Sequence, residues 1–187
     1  MKKLLALLLA LLLMLSVSGC GGAPTPTATP IPEPEFDFES YKGLVLENVK
    51  AISAEVVLLG NTGLYQYNYW KALENLGGKF DREDLVTRGK KWLSENANIR
   101  EDSIDLNYDA IWFRDRDVRA FQADGVEAEE ITKYYAKLLD FYDHLYRLIT
   151  NPPGSIGTFL RSLDDYFTGA KNYSDMLLVL LEGTPND

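Results

Sequence analysis

The stretch ITKYYAKLLDFYDHLYRLITNPPGSIGTFLRSLDDYFTGAKNYSDMLLVLL, residues 131–181, sets the architecture of the chain. Ile131, Tyr135, Leu138, Tyr142, Leu145 and Ile149 step by four and three, and Tyr134, Phe141 and Leu148 flank them at seven-residue spacing. That period is the mark of an amphipathic helix. Asn151-Pro152-Pro153-Gly154 stops it, because proline cannot donate to the helical ladder. Ile156, Leu160, Leu163, Phe167, Ala170, Leu177 and Leu181 then repeat the pattern, flanked by Phe159, Tyr166, Tyr173 and Leu180. Two stripes of equal width joined by a short loop predict an antiparallel helical hairpin.

Upstream, Val45, Val49, Ile52, Val56, Leu59, Gly63, Gln66, Trp70 and Leu73 keep one helical phase from about Ser40 to Leu76. The flank Leu44, Ala51, Leu58, Tyr65 and Ala72 keeps it too, so Gly60-Asn61-Thr62-Gly63 is read as lying inside one long helix. Gly77-Gly78 ends that helix, and Asp81 caps a second helix running to about Ala97, with Phe80 placed to pack on Leu85. A third helix spans roughly Ile104 to Gln122, and Asp124-Gly125 turns the chain into the hairpin. No sustained alternation of period two appears. The expected fold is all-α: an antiparallel up-down bundle of four arms, the second broken near Asn98–Ser103. A five-helix array follows if the chain reverses at that break.

Before the bundle, the chain changes character twice. Met1-Lys2-Lys3 is a short basic start, and Leu4 through Leu15 is an almost unbroken apolar run. At about 1.5 Å per residue the run is too short to cross a hydrocarbon core of roughly 30 Å. Basic start, apolar centre and small residues after it make a signal-peptide pattern over residues 1–19. The following Val17-Ser18-Gly19-Cys20 resembles the lipobox of bacterial lipoproteins. The resemblance covers the first twenty residues. It implies that the Cys20 thiol receives a diacylglyceryl group and that a peptidase cuts just before it. Two acyl chains on one residue give stable membrane attachment, where a single chain is marginal. Gly21 stands where an Asp often retains diderm lipoproteins in the inner membrane, so outer-membrane sorting is open if the source is diderm. From Gly21 to Glu35 the sequence GGAPTPTATPIPEPE is proline-rich and without periodicity. It reads as a solvated tether of roughly 45 Å at about 3.1 Å per residue. Residues 20–35 are thus anchor and tether, and residues 36–187 are the bundle.

Charge and residue inventory exclude more than they suggest. The 187-residue chain carries a net charge of −9. Loss of residues 1–19 removes Lys2 and Lys3 and no acid, which takes the mature charge to −11. Nucleic acid, which needs clustered Lys and Arg, is not an expected partner. With one cysteine there is no intrachain disulfide. His144 is the only histidine, near Asp140 and Asp143 and read as outward-facing, so neither a Ser-His-Asp site nor a di-iron Glu-x-x-His pair is expected. Asp102, Asp105, Asp109, Asp115 and Asp117 are read as charges on a solvated helix face. Counted from Asp115, the positions where a calcium loop requires Gly and Glu hold Ala120 and Val126. No metal, no cofactor and no catalytic residue is expected.

The most unusual patch is GNTGLYQYNYW, residues 60–70. Gly63 and Gln66 take positions that are otherwise apolar. A glycine there lets another helix approach or leaves a hollow, and a buried glutamine needs hydrogen-bond partners. Asn61, Gly63, Tyr65, Gln66, Tyr69 and Trp70 are therefore the candidate pocket for a small polar ligand. The leading expectation is a non-enzymatic, lipid-anchored module outside the cytoplasm. It would bind an envelope protein, with a ligand-binding sensor as the alternative.

Overall fold

The computed structural model describes residues 37–97, 100, 102–121 and 126–182. The expected signal peptide, Cys20 and the expected tether lie outside these residues. The described residues fall within one compact unit, Phe36–Asp187. Its helices are α1 (Phe38–Asn75), α2 (Arg82–Asn96), α3 (Ser103–Ala120), α4 (Val126–Thr150) and α5 (Ile156–Glu182). Among the described residues there is no strand, and no helix is long and apolar enough to cross a membrane.

Local chemistry fixes the helix ends. Asp37 opens α1, its Oδ1 accepting from the Ser40 amide at 3.1 Å. Asp81 opens α2 in the same way, accepting from the Asp84 amide at 3.1 Å. At the far end of α1, Gly77 adopts φ +74°, a conformation only glycine reaches without penalty. The Gly77 amide then donates to Glu74 O and the Gly78 amide to Leu73 O, both at 2.9 Å. These two bonds form a Schellman close, which satisfies carbonyls the helix would otherwise orphan.

α1 is unbroken through Gly60–Gly63. It is 38 residues long, or roughly 57 Å at 1.5 Å per residue. Partners along α1 establish the topology. Tyr69 meets Asp84, Gln66 meets Leu85, Tyr65 meets Trp92, Glu55 meets Asn107 and Asn48 meets Ile111. Positions fall along α1 as they rise through α2 and α3, so those two helices form one broken arm antiparallel to α1. α4 runs parallel to α1, as Tyr41–Thr132 and Gln66–Ile149 show. α5 returns antiparallel, with Phe141 against Gly169 and Tyr134 near Tyr173. The bundle is up-down with four arms and a broken second arm.

The core follows the stripes. All six stepping residues of α4, from Ile131 to Ile149, are buried, as are Val45, Val49, Ile52, Val56, Leu59 and Trp70 of α1. α5 departs in its first turn: Leu160 is 37% exposed, and Phe159 is buried in its place beside Trp70. A helix of 3.6 residues per turn drifts against a strict 3.5-residue repeat, and here the drift is one position.

Candidate functional site

The residues singled out at 60–70 do not line a common opening. Asn61 faces solvent. A Cβ at Gly63 would lie 2.5 Å from Leu163 Cδ1 and 2.9 Å from Ile149 Cδ1, so the space beside this glycine is filled by the α4–α5 hairpin. Gln66 is fully buried, and its Nε2 donates to Leu85 O at 3.2 Å and Ile149 O at 3.1 Å. Gly89 of α2 makes room for that amide, since a Cβ there would stand 2.6 Å from Nε2. Tyr65 stacks on Trp92 with centroids 5.7 Å apart. The Tyr69 hydroxyl donates to Asp84 at 2.8 Å, under the Arg88 guanidinium. Trp70 is buried and stacks on Phe80 at 4.1 Å. The patch is a junction of four helices in which every one of these rings and the amide has a packing partner.

A second polar element escaped the periodicity. Tyr41, Asn48, Glu55, Thr62 and Tyr69 stand at strict seven-residue spacing on α1. All but Tyr69 are buried, and the row faces α3 and α4 at one end and α2 at the other. Asn48 donates to Tyr135 Oη at 2.5 Å and to Ile111 O at 3.3 Å. Asn107 donates to Glu55. The seam continues where α3 meets α4. Tyr108 donates to Asp143 at 2.6 Å, Tyr146 donates to Asp105 at 2.9 Å, and the two tyrosine rings stack at 3.8 Å. Lys90 and Arg147 complete these carboxylates, each at 2.7 Å. Burial pushes Asp105 and Asp143 up, but their hydrogen bonds outweigh it and hold both below the usual carboxylate range.

Asp115 corrects one expectation. It is 3% exposed, not solvated, and Arg119 donates to it at 2.6 Å. Ile104, Tyr108, Ile111, Asp115 and Val118 step by four and three, so Asp115 sits in phase with the inward stripe of α3. Asp102, Asp109 and Asp117 are exposed. Among the described residues no group of three His, Cys, Asp or Glu side chains is placed to hold a metal ion.

Burial raises the Glu55 carboxyl above its ordinary 4.5, and the Asn107 hydrogen bond offsets part of that. A carboxyl raised in the folded state costs stability as pH climbs from the unfolded value through the folded one. Glu55→Gln keeps the acceptor for Asn107 and removes the charge. The variant is expected to unfold at higher urea than the parent at pH 8, with the gap closing below about pH 4.5. A gap that ignores pH would show that the carboxylate is not desolvated.

An open concavity lies between α4 and α5. It is an apolar groove of about 440 Å³, lined by Glu130 and Tyr134 of α4 and by Asp175, Met176, Val179 and Leu180 of α5. Met176 and Val179 are 41% and 51% exposed. The cause is legible in the sequence: Met176 through Leu181 is six apolar residues in a row. One helix face cannot bury them all. Leu177 and Leu181 go inward, and Met176 and Val179 are left outside. The groove's two charged members are both carboxyls. Asp175 is tied to Lys171 at 2.7 Å, and Glu130 is hydrogen-bonded to the Tyr134 hydroxyl, which it pushes up.

No family model, no curated protein and no solved structure matches this chain.

Proposed function

We propose that this protein is a lipid-anchored, non-enzymatic interaction module of the cell envelope, which receives an apolar segment of a partner protein in the α4–α5 groove. The observation that carries the reading is the exposure of Met176 and Val179 over a groove of about 440 Å³. Exposed apolar surface rimmed by polar groups marks interaction sites. The rim here is Glu130 and Asp175, in a chain of net charge −9. The complementary occupant is therefore an apolar segment carrying Lys or Arg. The Val17–Cys20 box supplies the tether to the membrane. The ligand-pocket alternative at Asn61–Trp70 loses weight because packing occupies that region.

The test uses the full chain in envelope membranes, with a photo-crosslinking residue in place of Val179 or, as a control, of Val57, which is 52% exposed on α1. One discrete adduct from position 179, absent from position 57 and diminished by salt, is the expected result. No adduct, or the same adducts from both positions, would overturn the groove as the interface. In parallel, Cys20→Ala should move the protein from the detergent phase to the aqueous phase. Unchanged partitioning would overturn the anchor.

A further inference from the structure

At the opposite end of α4 and α5 from that groove, the hairpin turn forms a cleft of about 350 Å³. It is independent of the groove and of any reading of it. Its polar wall includes Arg82, His144, Arg147, Thr158, Ser162 and Tyr166. Among the described residues no carboxylate lines it, in a chain with 28 Asp and Glu against 19 Lys and Arg.

The charges in the cleft are not all compensated. Arg147 is spoken for in part, since its Nε donates to Asp143 at 2.7 Å. His144 leans on its own helix, with Nδ1 2.7 Å from Asp140 O and 3.6 Å from Asp140 Oδ1. Arg82 differs. Its Nη1 donates to the neutral Asn151 Oδ1 at 3.1 Å, and it has no carboxylate partner among the described residues. A guanidinium keeps five donors in a planar fork that matches carboxylate and phosphate. Asn151 aims that fork by holding one edge, which leaves the other for a ligand.

Cleft size and lining narrow the class. The volume exceeds what one phosphate or carboxylate fills and lies in the range of small-molecule pockets. The Tyr166 ring stands beside the His144 ring at 5.1 Å, tilted 42°. Together with the Pro152 ring they offer an apolar, aromatic wall. Thr158 and Ser162, one turn apart on α5, add two hydroxyls. We propose that this cleft binds a monosaccharide-sized polyol bearing an oxyanion, with Arg82 and Arg147 on the anion, Thr158 and Ser162 on the hydroxyls, and Tyr166 against the ring face.

The experiment is calorimetric titration of the full chain in detergent, at low ionic strength, with four probes: glucose 6-phosphate, glucuronate, inorganic phosphate and glucose. One-to-one saturable binding of at least one anionic sugar, with none by glucose, is expected. The tighter of the two identifies phosphate or carboxylate as the anion. Arg82→Ala should weaken that binding at least tenfold with an unchanged thermal midpoint, and Arg82→Lys should weaken it less. Arg147→Ala serves as the second variant and should also weaken it. The proposal is overturned if neither anionic sugar saturates, if glucose binds equally well, or if Arg82→Ala binds like the parent. Inorganic phosphate binding as tightly as glucose 6-phosphate would also overturn it, reducing the site to an adventitious ion only.

Discussion

Trp70→Ala is expected to destabilise the bundle by about 3–5 kcal/mol, read as a lowered urea midpoint with an unchanged slope. Trp70 is 1% exposed and stands where three segments meet. Phe80, from the connection to α2, stacks on it at 4.1 Å, and Phe159 of α5 leans in at 6.1 Å. Alanine would leave a hollow that two rigid rings cannot close by small rotations. The indole Nε1 is buried without a partner among the described residues, so its loss returns a little of the cost. A change below 1 kcal/mol would mean the junction relaxes freely and is not the anchor of that end of the bundle.

Gln66→Leu is expected to cost about 1–2 kcal/mol, although it replaces an amide with an apolar side chain in a core. Ile149 lies in the last turn of α4, and the residue four places on is Pro153. Proline has no N–H, so the Ile149 carbonyl has no helical donor. Gln66 Nε2 supplies one at 3.1 Å. Leu85 O, its other acceptor, has the Gly89 amide as its partner within α2. The wild type already carries one penalty, since Gln66 Oε1 has no partner among the described residues. Removing that orphan while creating another at Ile149 places the cost in the lower half of the usual range. A urea midpoint at or above the parent's would show that the Ile149 carbonyl is served from elsewhere.

The arms of the bundle were legible because each carries a stripe long enough to hold phase. α1 is the instructive case. Gly60, Asn61 and Gly63 favour a break locally, yet the phase before and after them agrees, and the helix runs straight through. The glycines survive in it because α5 presses close: a Cβ at Gly60 would meet the Phe167 ring at 2.5 Å. Periodicity reports the centre of a buried face but not its width, which depends on how many neighbours a helix has. α1 touches all four other helices, so its buried face extends to Asn48, Glu55 and Thr62, which a one-stripe reading leaves outside. Asp115 was misplaced for a different reason. Its charge argued for solvent, while its phase argued for the core, and Arg119 reconciles the two. The groove and the cleft were hidden because each is made by more than one helix. Met176–Leu181 is an unbroken apolar run, but the stripe reading places Leu177, Leu180 and Leu181 on the helix face and does not register the surplus left outside.

The broken arm has a consequence for how the molecule comes apart. α3 contributes just three fully buried aliphatic side chains, Ile104, Ile111 and Val118. Beside the partly buried Tyr108 and Trp112 rings, much of the rest of its attachment is bonds from tyrosine, asparagine and lysine, which water replaces at little cost. Releasing α5 would instead expose Phe159, Leu163, Leu177 and Leu181 along with the α1 and α4 surfaces they cover. Opening energies in a folded protein are graded in this way, by segments that leave together. By the same measure α2 buries only Leu85 and Leu93 as aliphatic side chains, so the broken arm, α2 with α3, is expected to leave first: its amide protons should exchange with solvent through an opening smaller than global unfolding, while those of α1, α4 and α5 wait for the whole bundle to open.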